Sequence, residues 1–415
     1  MIDYKEYKLA NGLTVLANRD EASQMAAVNI LYKVGARDEN PARTGFAHLF
    51  EHLMFRGTKR IPQFDIPVQQ ACGENNAFTN NDYTDYYITL PKDNIETAFW
   101  LESDRMEGLD ITRTALETEK KVVIEEYNQR YLNQPYGDMW LLLREMAYKV
   151  HPYRWPTIGM SIEHVAGATQ ADVKEFYRRW YNPGNAILSV SADMEEERVF
   201  EMAERWFAGV PALPTDRHAL PQEPEQTEAR RMQVERNVPA SAVTIAFKMG
   251  DRMSRQFYRC DIISDLMAGG TSARLYQNLV KDRQLFSAVN AYITGDIDPG
   301  LFIITGHLHP GVTPEQGEKG FWDEIAKLQN EPVSEYELEK VKNKFEAGVI
   351  FGELNVMNKA MNMAFYNMLG DMSLLNGEVG IFRSIGAEEV MQAAREVFVP
   401  RRSSTLIYIA QDETR

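Results

Sequence analysis

His48, Glu51 and His52 stand in the stretch Phe-Ala-His-Leu-Phe-Glu-His-Leu-Met-Phe, residues 46–55. On a helix, positions four apart lie one turn apart on the same face, so both imidazoles address one point, and Glu51 leans toward the same side. Two imidazoles so placed bind one Zn²⁺. A zinc with three protein ligands and one open position lowers the pKa of a bound water to about 7. A nearby carboxylate then accepts the water's proton and passes it to a leaving amine. The order H-x-x-E-H inverts the more usual zinc-protease motif. With 7 histidines and 60 acidic residues in 415 positions, roughly 0.02 chance occurrences are expected. The bland alternative is two histidines on a solvated helix face. The apolar neighbours argue against it, because they bury the helix on its other sides.

A third ligand must come from elsewhere. The pattern predicts a helix from about Thr112 to Tyr131 that carries Glu119, Glu125 and Glu126. Glu119 and Glu126 are two turns apart and share a face, while Glu125 points about 100° away from Glu126. Spacing alone leaves the choice of carboxylate open, and any single one of them would be read as part of a solvated face.

The elements that must position these residues form a duplicated pattern. Ala27-Val-Asn-Ile-Leu-Tyr-Lys-Val-Gly35 is matched by Ala242-Val-Thr-Ile-Ala-Phe-Lys-Met-Gly250. Both are β-rich strands ending at lysine, an apolar residue and glycine. Leu53-Met54 and Gly57-Thr58 answer to Leu266-Met267 and Gly270-Thr271, and Asn76-Ala77-Phe78 to Asn290-Ala291-Tyr292. Pro211, Pro214, Pro221 and Pro224 fall among polar residues without apolar periodicity, which reads as an extended linker. The expected organisation is therefore a first repeat at 1–210, a Pro-rich linker at 211–235 and a second repeat at 236–415. Strands and helices lack the regular βαβ cadence, so the expected class is α+β, each repeat a mixed or antiparallel sheet flanked by helices.

Together with the helix reading Glu-Lys-Lys-Val-Val-Ile-Glu-Glu, the H-x-x-E-H segment resembles the pitrilysin/insulinase (inverzincin) family of zinc metallopeptidases. The type is single-unit, similar to the zinc-bearing subunit of the mitochondrial processing peptidase. The resemblance spans nearly the whole chain: Asn11-Gly-Leu13, Gly35-Ala-Arg-Asp-Glu39, Asn76-Ala-Phe-Thr79 with Thr84 and Tyr86, and His151-Pro-Tyr153 with Ile158-Gly159. It implies Glu126 as third zinc ligand with His48 and His52, Glu119 as its companion and Glu51 as the catalytic base. The 73 residues between His52 and Glu126 suit the family's separation. It also implies that Asn76, Ala77, Phe78 and Thr79 form an edge strand to which a substrate peptide adds as another strand.

The second repeat places Asp261, Ser264 and Asp265 opposite His48, Glu51 and His52, so no second zinc is expected. Where the family commonly carries an arginine and, seven residues on, a tyrosine that hold the scissile carbonyl, this chain has Val280 and Ser287. Arg274, Arg283 and Tyr292 lie nearby without the matching spacing, and Arg274 is expected to be structural. The implied function is a zinc endopeptidase, one Zn²⁺ per chain, acting on extended peptides in a closed dimer chamber. A homologous partner subunit lacking the zinc motif would supply the missing pair. Two alternatives stand beside it: a non-catalytic structural subunit of a larger complex, and a self-sufficient homodimeric peptidase.

A net charge of −15 argues against nucleic acid and anionic membranes as partners. No apolar run approaches a membrane span. Without a leader pattern at the N-terminus the expected compartment is the cytoplasm, with a leader-stripped periplasmic protein as the competitor. The remaining histidines read as structural: His307 and His309 on one strand face, His164 in a helix, His218 in the linker and His151 in a turn. Met357, Met361 and Met363 read as core.

Overall fold

The computed structural model describes residues 1–215 and 217–411. It contains two sheets. The first has the strand order β1-β2-β6-β3-β5-β4: Lys5–Lys8 (β1), Thr14–Arg19 (β2), Met25–Tyr32 (β3), Glu74–Thr79 (β4), Thr84–Pro91 (β5) and Ala186–Ala192 (β6). In the second, Arg230–Arg236 (β7), Ala242–Lys248 (β8), Phe286–Ile293 (β9), Leu301–Leu308 (β10) and Ser403–Ala410 (β11) run in the order β7-β11-β8-β10-β9. Apart from the extra β1, the two orders are the same. β2 and β6 pair parallel, as do β7 and β11, and every other neighbouring pair is antiparallel. The fold is mixed α and β, with two alike halves, as the repeated strand and edge motifs predict.

Why β3 and β8 lie centrally follows from their composition. Their β-branched and aliphatic residues are buried along almost the whole length, which requires cover on both sheet faces. In the second sheet Val243, Ile245, Phe247, Phe302 and Ile304 pack into one core, and Ala242, Ala246, Leu301, Ile303, Leu406 and Tyr408 into another. The strict alternation assigns the two sets to opposite faces.

The helices are Phe46–Leu53 (α1), Asp65–Gln70 (α2), Ile95–Glu107 (α3), Arg113–Tyr127 (α4), Met139–Ala147 (α5), Ile162–Ala166 (α6), Gln170–Trp180 (α7) and Glu196–Phe207 (α8). After β8 follow Arg255–Ala268 (α9), Pro314–Asn330 (α10), Glu335–Gly352 (α11), Val356–Leu369 (α12), Leu374–Ser384 (α13) and Ala387–Val397 (α14). None among the described residues is long and apolar enough to cross a membrane.

The chain forms two compact units, and these are not continuous in sequence. One comprises Met1–Asn128, Trp155–Pro221 and Val349–Gly377, the other Gln129–Arg154, Gln222–Gly348 and Glu378–Arg415. In the first, α12 packs on β3 and β6, with Ala360 and Val356 against Ala27. In the second, α5 covers the sheet through Leu143, Met146 and Ala147. Each sheet is thus completed by a helix from the other half of the chain. The sequence repeats, drawn as continuous blocks, do not contain this exchange. The irregular stretch after Val210 also ends sooner than expected, because Arg230–Arg236 is a strand paired with β11. Only Met232 and Val234 of that edge strand pack against the core, and its charged alternate residues hide it from apolar periodicity. Likewise β10 ends at Leu308, one residue before His309, and its pairing with β9 shifts register between His307 and Leu308.

Candidate metal centre

α1 opens at Gly45, whose φ is 89°. Phe46, Ala47, Leu49, Phe50 and Leu53 are buried. His48, Glu51 and His52 occupy the opposite face, half-buried. Phe50 stacks on Phe176 and Tyr181 at 5.0 and 5.2 Å between ring centres, which holds the apolar face. α4 packs against α1. Its N-terminus is capped by Thr112, whose hydroxyl accepts the Ala115 N–H at 3.1 Å. Helix α4 ends at Tyr127 and passes into a wider turn over Asn128–Leu132.

The packing of α1 on α4 brings three ligand-type side chains together. Potential ligand atoms of His48, His52 and Glu126 all lie within 4.8 Å of one another. Glu126 Oε2 is 3.0 Å from His48 Nε2 and 3.4 Å from His52 Nε2. Ligands about 2.1 Å from a tetrahedral zinc are spaced roughly 3.4 Å apart, so the set fits that ion. The other ring nitrogens also face carboxylates: His48 Nδ1 lies 3.4 Å from Glu51 Oε2, and His52 Nδ1 3.4 Å from Glu119 Oε2. Glu119 is buried and accepts from the Arg56 guanidinium. Glu125 is exposed.

Electrostatically the site attracts positive charge. Burial opposes protonation of His52, yet Glu119 and Glu126 lift it to about 9. His48 is raised in the same way, with Glu126 and Glu51 outweighing burial. Conversely, Glu51 and Glu119 are held below the usual carboxylate range against the effect of burial, Glu51 chiefly by His48 and Glu119 by His52 and Arg56. Three carboxylates surround two imidazoles, a donor set and charge balance that suit a divalent cation.

Beside this cluster runs β4, the last strand of its sheet. Asn76, Ala77, Phe78 and Thr79 pair with Tyr87, Tyr86, Asp85 and Thr84 of β5. The N–H of Ala77 is bonded to the Asn76 side chain at 2.8 Å rather than to β5, so it faces the open edge. Glu51 also interacts with Thr79. A cleft of about 430 Å³ is lined by Glu51, His52, Phe55, Arg56, Asp65, Asn76 and Glu119.

Spacing did not single out Arg56, although it lies one turn beyond His52. Its partner Glu119 comes from another helix, and no local pattern announces that contact. In the second unit, Val280 packs against the core, and the exposed Ser287 donates to the His307 carbonyl at 3.2 Å. Arg274 is bound by both oxygens of Glu337 at 2.8 and 2.9 Å, the structural pairing expected of it. Arg283 pairs with Asp323 at 3.1 Å. On α9, Ser264 donates to the Asp261 carbonyl and Asp265 pairs with Lys344 at 2.7 Å. Among the described residues no metal-type cluster forms on α9.

Residues 14–159 match the family Insulinase (Peptidase family M16), and residues 167–345 match the Peptidase M16 inactive domain. The zinc protease PqqE of Helicobacter pylori is 28% identical over 411 residues, 97% of this chain and 92% of the relative. The beta subunit of the mitochondrial-processing peptidase of Saccharomyces cerevisiae is 28% identical over 207 residues, 49% of this chain and 44% of that subunit. A protease from Helicobacter pylori has a similar crystal structure, with a TM-score of 0.93, 28% identity, and 99% of this chain and 100% of that chain covered. Pitrilysin shares the fold at a TM-score of 0.78 and 16% identity, covering 98% of this chain and 45% of its own. The chain therefore belongs to the insulinase-type M16 peptidase family.

Proposed function

We propose that the chain is a zinc endopeptidase subunit that hydrolyses extended peptides. The observation that carries this is the meeting of His48, His52 and Glu126 beside a half-buried Glu51 and an open sheet edge. His48, His52 and Glu126 would hold the zinc. When bound, the ion supplies Lewis acidity and lowers the pKa of water at the site to about 7.

The remaining work falls to the chain's own groups. Glu51, kept ionised beside His48, accepts a proton from the attacking water and delivers it to the leaving amine. Glu119, fixed by Arg56, accepts from His52 Nδ1 and so sets that ring's tautomer and orientation. The Ala77 N–H on the free side of β4 donates to a main-chain carbonyl of the peptide in place of the Asn76 side chain, a mode that gives affinity with little demand on side-chain sequence.

Where the family commonly carries its arginine and tyrosine, the second repeat holds Val280 and Ser287. Arg274 and Arg283 are engaged with Glu337 and Asp323. This supports a heterodimer in which a homologous subunit without the zinc motif supplies the donors for the developing oxyanion and closes a chamber around the peptide. The isolated chain is then expected to bind zinc but cleave peptides poorly, with activity restored by the partner. Brisk turnover by the purified chain alone would overturn the heterodimer.

Glu51→Gln tests the chemistry. The variant retains its zinc while hydrolysis, measured with the complete enzyme, falls by about 10²–10⁴-fold. Undiminished hydrolysis would remove Glu51 from the mechanism.

A further inference from the structure

Between β3 and α1 lies a buried carboxylate with no part in the chemistry above. Glu39 is 6% exposed. Its oxygens accept backbone N–H bonds from Gly45 at 2.9 Å and from Ala47 at 2.7 Å. These donors belong to the first turn of α1, where a helix has no internal acceptor to offer. Gly45 has no side chain with which to cap, and it cannot be exchanged for a residue that has one. Its φ is 89°, and a Cβ there would lie 2.6 Å from the Ile158 carbonyl oxygen. The capping function has moved six residues upstream, to the carboxyl oxygens of Glu39.

Glu39 is itself rigidly mounted. The preceding turn, Ala36–Asp38, is tied to the loop between β4 and β5: the Ala36 N–H donates to the Asn80 carbonyl at 3.1 Å and the Arg37 N–H to that of Asn81 at 2.9 Å. The Trp155 indole N–H donates to the Ala36 carbonyl at 2.9 Å. Gly35 sits so close to Asn81 that a Cβ would fall 2.5 Å from its backbone. One short segment therefore fixes both the turn of the edge strand and the start of the helix that carries the imidazoles.

We infer that Glu39 is a positioning residue for the metal centre, holding the first turn of α1 so that His48 and His52 meet Glu126. The inference rests on the zinc reading above. His48 follows Ala47 directly, and its Nε2 must stay near 3.0 Å from a carboxylate on another helix. Without the Ala47 N–H bond the first turn frays up to the ligand itself.

The test is zinc affinity of the full chain, read by competition with a chelating dye below the unfolding temperature, for wild type, Glu39→Gln and Glu389→Gln. In Glu39→Gln the amide NH₂ faces a backbone N–H, and zinc is expected to bind about 10- to 100-fold more weakly with unchanged far-UV dichroism. Glu389 is the control, because it caps α14 in the other unit by accepting the Gly386 N–H at 3.2 Å. Its variant is expected to melt earlier yet bind zinc as tightly as wild type. An unchanged zinc affinity in folded Glu39→Gln, or an equal loss in Glu389→Gln, overturns the inference. Should Glu39→Gln not fold, Glu39→Asp keeps the carboxyl group and shortens the reach by one methylene. Weaker zinc binding in that variant supports the inference, and wild-type affinity overturns it. A wild type without zinc affinity would fail before any variant is compared, and the metal reading would fall first.

Discussion

Glu125 and Glu126 are adjacent in sequence and part company only in three dimensions. Glu126 lies 3.0 Å from His48 Nε2, whereas Glu125 is exposed. Glu126→Gln is therefore expected to weaken zinc binding by at least about 100-fold, while Glu125→Gln leaves it unchanged within about twofold. Zinc titration of the two variants checks this, and the reverse order would reassign the third ligand. Arg56 makes a finer test. Removing it as Arg56→Ala frees Glu119 from its guanidinium partner, with zinc affinity expected to fall about tenfold. Stability should change little, because the side chain is 43% exposed. Part of this site was legible in the sequence. His48, Glu51 and His52 follow from helical periodicity, a local rule. The choice of Glu126 needed the family resemblance, and the roles of Arg56 and Glu39 were not visible, because each acts through a contact that only the packing of separate segments creates.

Among the elements, β4 and the linker carry the sharpest expectations. The Ala77 N–H lies on the open side of β4, so Ala77→Pro removes a donor to the peptide without removing a bond to β5. Peptide hydrolysis by the complete enzyme should fall through a raised KM, with zinc content unchanged. An unaltered KM would contradict strand addition at this edge. Within the Pro-rich stretch, Glu223 accepts from the backbone N–H groups of Lys149, Val150 and His151 at 2.8–3.0 Å, and the Lys248 ammonium lies 3.0 Å away. Burial works against its ionisation, yet these donors hold it at about 2, against about 4.3 in an unfolded chain. A depressed carboxylate stabilises the fold fully above the unfolded value and loses that effect as the pH falls from there toward 2. Glu223→Gln should cost about 1–2 kcal/mol at pH 7, and the difference from wild type should shrink between pH 4 and pH 2, as followed by urea unfolding. Here the sequence was less informative. Proline marked an extended path but not its anchoring, and the charged alternate residues of β7 concealed a strand.

On the scale of the molecule, the duplication was readable because the central strands and the edge motif repeat in order, and the two sheets indeed share their strand order. The exchange of α5 and α12 between the two halves of the sequence was not readable. An amphipathic helix pattern states that a face is buried, not which sheet buries it. Family membership rests on both halves, since the first matches the insulinase family and the second its inactive domain. The functional asymmetry follows the same division, with one cluster of zinc-type ligands on α1 and α4 and none on α9 among the described residues.

We propose above that this chain is a zinc peptidase subunit whose chemistry runs through Glu51. The deciding measurement is bound zinc and cleavage of an unstructured peptide, for wild type and Glu51→Gln, each alone and with the proposed partner subunit. One zinc per chain is expected in both proteins, with cleavage only by wild type and greatly increased by the partner. A wild-type chain that takes up no zinc, or a Glu51→Gln enzyme that cleaves as fast as wild type, would contradict it.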